Sequence, residues 1–225
     1  MLSTTRSAGL IGIDAAVVDV EVDTVRGLPA LSIVGLPDTA IRESKDRIRS
    51  AIENSGFSFP PMNFVVNLAP ACFKKQGSNF DAAIAVAILC ATGQSTHAAA
   101  PFPLIGELSL DGALRPVRGI LSMALALYRA GFKGVVVPWE NRVEAADLGV
   151  IDVFAAKDLR EALSFACAGT EPFRAAEEAC THESYPFDFS MVLGQESVRR
   201  AVEIAAAWHH NILLYGPPGA GKSMI

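Results

Sequence analysis

The sequence predicts an α/β (α+β) fold in two parts. A mixed sheet with packed helices is expected over 1–169, and the opening of a second α/β domain over 188–225. Three observations carry this reading. Short strand-like and helix-like segments alternate along the first part, each closed by glycine or proline. The segment from Ala82 to Ala91 is apolar on every side, as a central buried helix is. A polar, proline-containing stretch over 170–187 then reads as a linker, and beyond it a helix, a short apolar strand and a glycine-rich loop follow in order.

The elements fall in sequence as follows. Between Ala15 and Asp23, Val18, Val20 and Val22 share one face and Asp19, Glu21 and Asp23 the other, which is the period of a half-buried strand. A second strand spans Ala30 to Val34 and breaks at Gly35-Leu36-Pro37. Asp38 is placed to cap a helix that runs to about Asn54, with Ile41, Ile48 and Ile52 as its apolar stripe. Phe64 to Leu68 is a third strand between Pro61 and Pro70. The buried helix is expected from Asn79 to Thr92, with Ser78 and Asp81 at capping-box spacing. Leu104 to Val117 reads as a hairpin turning at Asp111-Gly112. A helix at Ile120 to Ala130, a strand at Gly134 to Val137, a helix at Asn141 to Leu148, a strand at Ile151 to Phe154 and a helix at Asp158 to Ala168 complete the first part. In the second, Gln195 to Trp208 is a helix and Ile212 to Tyr215 a strand.

Composition excludes several classes. Apolar residues make up 51% and charged residues 19%, enough for a sizeable core and too little charge for a disordered chain. The net charge of −5 rules out nucleic-acid binding through bulk positive charge, so any such contact needs a local basic patch. No apolar run approaches the ~20 residues of a membrane span. The four cysteines, Cys72, Cys90, Cys167 and Cys180, have no C-x-x-C spacing and read as reduced thiols, which implies a cytoplasmic protein.

Gly216-Pro217-Pro218-Gly219-Ala220-Gly221-Lys222-Ser223 fits G-x-x-x-x-G-K-S/T directly after an apolar strand. Each residue type has a task there. The glycines let backbone N–H groups wrap an anion, Lys222 offers a point charge to the β- and γ-phosphates of ATP, and Ser223 offers a hydroxyl to Mg²⁺. The chain ends at Ile225, so the sequence is expected to be the N-terminal part of a longer nucleotide-dependent protein, with weak ATP binding and no hydrolysis by itself.

Longer motifs carry a resemblance over essentially the whole chain. G-I-D-A, V-D-V-E-V and G-L-P-A-L-S-I-V-G-L-P-D-T-A-I-R-E-S-K-D-R-I-R-S-A-I come first. V-N-L-A-P at 66–70, K-K-Q-G-S-N-F-D at 74–81 and G-E-L-S-L-D-G at 106–112 follow. D-F-S-M-V-L-G-Q-E at 188–196 and H-N-I-L-L-Y-G-P-P-G-A-G-K-S complete the set. The sequence resembles the ComM/YifB family of magnesium-chelatase-like AAA+ proteins. The resemblance implies a Lon protease-like N-terminal domain followed by an AAA+ ATPase module, assembly into homo-hexamers, use of ATP and Mg²⁺, and a DNA branch-migration helicase activity in natural transformation. Two alternatives stay open: a chelatase-type motor subunit, and a non-enzymatic Lon-like interaction module.

A Lon-like fold raises the question of a Ser–Lys dyad. Matching the buried helices puts Asp81 where the serine belongs, and Leu121, after Pro116 to Ile120, where the lysine belongs. Neither can act as nucleophile or base in acyl transfer, so no proteolysis is expected. Ser78 reads as a helix cap. For DNA, Arg42, Lys45 and Arg49 share one helix face, and Lys74-Lys75 form a second basic spot. The first reads more readily as a solvated helix face, since Glu43, Asp46 and Glu53 are interspersed, and the second as a charged loop. His209, His210 and Trp139 are expected to pack or cap.

Overall fold

The structure is a computed structural model that describes residues 2–25, 27–95, 100–168, 171–173 and 189–222. It divides into two compact units, Met1–Glu177 and Glu178–Ile225. Most of the expected linker at 170–187 lies outside the described residues.

The first unit is built on a four-stranded sheet. Strands β1 (Ser3–Ile11) and β2 (Asp14–Val25) form an antiparallel hairpin. Strand β3 (Ala30–Val34) leads through helix α1 (Thr39–Asn54) to β4 (Asn63–Ala69), which lies parallel to β3 and antiparallel to β2. The order is β1-β2-β4-β3. On β2, Val18, Val20 and Val22 are buried as expected. The opposite face is tied across strands, by Arg6 to Asp19 at 3.1 Å and by Asn67 Nδ2 donating to Glu21 at 2.8 Å.

The sequence reading missed β1, and the reason is chemical. Its buried residues include Ser3, Thr5 and Ser7 rather than valines and isoleucines. Small hydroxyl residues let a helix come close, and Thr5 Oγ1 donates to the Ala83 carbonyl of that helix at 2.9 Å. At Gly9 a Cβ would stand only 3.0 Å from the Phe80 ring.

The helix is α2 (Asp81–Ala91), whose residues are all buried. It begins two residues later than the spacing predicts, and Ser78 does not cap it. Backbone carbonyls meet its first N–H groups instead: Asp81 N donates to Ser78 O and Ala82 N to Gly106 O. Asp38 caps α1 as predicted, accepting from Ile41 N at 2.9 Å, and its other oxygen accepts from Gly77 N at 3.0 Å. Ahead of that cap the chain turns at Gly35, with φ +96° and no room for a Cβ, which would sit 2.2 Å from Leu68 O.

The rest of the unit closes over α2. The expected hairpin is a two-residue ladder, β5 (Glu107–Leu108) with β6 (Leu114–Arg115). Helix α3 (Ile120–Arg129) is followed by β7 (Gly134–Pro138), a 3₁₀ turn at Trp139–Asn141, α4 (Arg142–Ala146), β8 (Asp152–Ala156) and α5 (Leu159–Ala168). Strands β7 and β8 pair in parallel. Asp158 accepts from the N–H groups of Arg160 and Glu161, each at 2.9 Å, so the predicted start of α5 is a capped one. Beyond Gly169, Phe173 N donates to Val153 O at 2.7 Å, so the first unit continues past the predicted boundary.

In the second unit, a 3₁₀ turn at Phe189–Met191 precedes α6 (Glu196–Ala207). The strand expected at Ile212–Tyr215 is not formed among the described residues. An extended segment becomes a strand only when a neighbour completes its ladder, and none of the described strands pairs with it. His209 ends α6 with φ +54°, and both His209 and His210 are exposed rather than packed.

Candidate functional site

The glycine-rich loop expected to hold phosphate is described from Gly216 to Lys222; Ser223, the residue expected at Mg²⁺, lies outside the described residues. Gly219 and Gly221 have φ of +81° and +74°, a region that only glycine enters without cost. A Cβ on Gly219 would meet nothing within 4 Å, so its positive φ and not crowding is what calls for glycine there. Lys222 Nζ donates to Gly216 O at 2.8 Å and to Pro217 O at 2.7 Å, so the ammonium sits over the mouth of the loop. These features are compatible with a triphosphate: backbone curvature set by glycine, and one cation held on two loop carbonyls.

Sequence reasoning missed one residue here. Gln195, in the left-handed region at the start of α6, donates from Nε2 to Ala220 O at 3.0 Å and holds the loop against the helix. A cleft of about 420 Å³ lies beside this contact, with Val198, Ala201 and Leu214 on its apolar side. Its signal in the sequence is the G-Q-E triplet, which the resemblance includes without assigning it a role.

The basic residues of the first unit separate on inspection. Arg42 is exposed on α1. Lys45 and Arg49 line one groove, where Arg49 pairs with Glu53 at 3.2 Å and its guanidinium lies 5.5 Å from the Phe59 ring centre. Lys74 is exposed on the loop that hydrogen-bonds to the start of α1. Lys75 does not belong with them. It is fully buried, its ammonium donates to the Pro70 carbonyl and lies 4.5 Å from the Phe73 ring centre, and burial holds its pKa below the usual lysine value. A side chain used to pin its own loop cannot reach a phosphate backbone.

The region of the would-be dyad also differs from the expectation. Asp81 does not face solvent: it is 1% exposed, pairs with Arg47 at 2.7 Å and accepts from Leu108 N at 3.3 Å. Burial pushes its carboxyl up to about 6, against the pull of Arg47. The open groove of about 420 Å³ in front of α2 is lined instead by Ser78 and Asn79, facing Pro116, Val117 and Arg118. Ser78 Oγ donates to the Glu107 carboxylate. The residue at the start of α2 is therefore not a residue of the groove. Leu121 is 43% exposed and carries no base. Trp139 is half-open at the surface, stacked by Arg142 and Lys157 rather than packed in the core.

A Lon-like α/β unit followed by a phosphate loop defines a class: the magnesium-chelatase-like proteins with an N-terminal Lon-type domain. A family model described as "Subunit ChlI of Mg-chelatase" matches residues 20–141, and one described as "Magnesium chelatase, subunit ChlI" matches 188–225. The chain belongs to this family, in its ComM/YifB branch. It is 39% identical to YifB of Escherichia coli over 230 residues, covering all of this chain and 44% of that protein. It is 34% identical to the competence protein ComM of Haemophilus influenzae over 232 residues, covering all of this chain and 45% of ComM. The Lon protease of Halothermothrix orenii is 32% identical over 152 residues, 64% of this chain and 19% of that enzyme. The chain thus spans less than half the length of its YifB and ComM relatives.

Proposed function

We propose that this chain is the N-terminal part of an ATP-driven DNA motor of the ComM/YifB type, working in DNA branch migration during transformation and recombination. The observation that carries the reading is the glycine-shaped loop with Lys222 at its mouth, joined in one chain to a Lon-like unit. That unit favours the DNA motor over a chelatase subunit, which needs only the ATPase part. In this reading residues Gly216 to Ser223 hold ATP, with Ser223 toward Mg²⁺, and the whole protein works as a homo-hexamer in the cytoplasm. Among the described residues no helix is long and apolar enough to cross a membrane, and Cys72, Cys90 and Cys167 are free thiols.

Lys222 must exchange two loop carbonyls for phosphate oxygens, a trade that favours the charge-assisted partner. Calorimetry with ATP and Mg²⁺ tests this: Lys222→Ala is expected to abolish whatever binding the parent shows. Equal binding by the variant would refute the nucleotide role. For DNA, Arg42, Lys45, Arg49 and Lys74 are the proposed contacts. Binding to a labelled duplex is expected to be weak and steeply salt-dependent, with a log–log slope of about −0.9 per phosphate neutralised. Arg42→Glu and Lys74→Glu should each weaken it and flatten that slope; a slope unchanged in both would remove these residues from the interface.

A further inference from the structure

The four-stranded sheet has two edges, and the fold treats them differently. Strand β1 is covered where Leu104 N donates to Arg6 O at 2.8 Å. Strand β3 is the other edge. Its register is fixed by Ala30 N donating to Met62 O, so Ala30, Ser32 and Val34 aim their backbone groups at β4. In a parallel ladder the alternate residues then aim theirs outward. The N–H and C=O groups of Leu31 and Ile33 therefore point away from the sheet, and no described residue bonds to them.

Natural edge strands are commonly blunted by charge, bulges or proline within the strand. Ala30-Leu31-Ser32-Ile33-Val34 has none of these. Its surroundings are apolar and open: Leu28 is 87% exposed, Leu36 53%, Val34 47% and Met62 40%. Beside the strand lies a groove of about 210 Å³. Leu31, Phe59, Pro60 and Met62 form its apolar part, and Lys45 and Arg49 stand at it with one acid, Asp46.

We propose that the β3 edge and this groove form a docking site for an extended peptide from a partner protein. An outward ladder of donors and acceptors is complementary to another strand. The groove then selects an apolar or aromatic side chain on that strand, and Lys45 with Arg49 selects a neighbouring carboxylate. Two-fold pairing of β3 with a second copy is disfavoured, because it would set two such cation pairs against each other. The site shares Lys45 and Arg49 with the proposed DNA face but does not depend on it.

The test uses the full chain and a fluorescein-labelled peptide that alternates valine and glutamate around a central phenylalanine. Binding is expected at a Kd of about 10–100 μM. Leu31→Pro removes an outward N–H and leaves the β4 ladder intact, since proline is tolerated on edge strands. It should weaken binding at least about tenfold, while DNA binding stays as in the parent. Lys45→Glu with Arg49→Glu should weaken the peptide similarly. The same peptide N-methylated at alternate residues, which needs no protein variant, should not bind. The proposal is overturned by equal binding of the N-methylated peptide, by no binding of the plain peptide up to about 1 mM, or by a dimer in sedimentation that Leu31→Pro dissolves.

Discussion

Single residues show how much chemistry a neighbour can redirect. Asp81 and Asp38 are both carboxylates at a helix start, and only the second caps. Asp38 stands one position before α1 and accepts from Ile41 N, while Asp81 lies inside α2 and spends its charge on Arg47. Burial makes the cost of that charge measurable. A folded-state pKa of about 6 against an ordinary value near 3.8 means the folded state keeps a proton that the unfolded state has lost. Stability should then fall as pH rises from about 4 to about 6, by up to roughly 3 kcal/mol, and level off above. The groups that face Asp81 are Arg47, which holds the shift down, and Glu107, which adds to it. In Asp81→Asn that decline should vanish from denaturant midpoints measured across the same range; a decline of the same size in the variant would place its origin elsewhere. Lys75 makes the complementary point. A lysine next to another lysine reads as surface, yet it is held beneath Phe73 and the Pro70 carbonyl.

Among the elements, α2 was legible because nothing on it is polar after Asp81, and β1 was illegible because its buried face is made of hydroxyls. Hydrophobic periodicity detects only burial that is apolar. The core role of α2 gives a direct contrast. Ile84→Ala should cost about 2–5 kcal/mol, since a close-packed site cannot collapse around the lost volume. Leu121→Ala, on the half-open face of α3, should stay within about 0.5 kcal/mol. Thermal or urea midpoints of the two variants read this, and a similar cost for both would mean that α2 is not the centre of the fold. The segment at Ile212–Tyr215 shows the opposite limit. Its apolar run has the composition of a strand, but strand formation belongs to a pair of segments and not to one.

At the scale of the whole molecule, the first unit is expected to withstand protease while the connecting stretch does not. That stretch has two prolines and no sustained apolar period, while Phe173 is bonded to the core through Val153. Limited proteolysis followed by mass measurement should find the earliest cut between Phe173 and Pro186. A first cut within 80–130, across α2 and α3, would contradict the architecture. The sequence by itself determined the α/β character, the two valine and isoleucine faces of β2 and α1, the Asp38 cap and the glycine-shaped turn at 219–221. Each of these is written in residues close along the chain, through a period, a turn or a short motif. Only the tertiary structure decided which strand is an open edge, that Lys75 is inside and that Ser78 rather than Asp81 faces the groove. Those outcomes depend on which distant segments meet, and on the free energy of burying or pairing a charge once they have met, which no local pattern records.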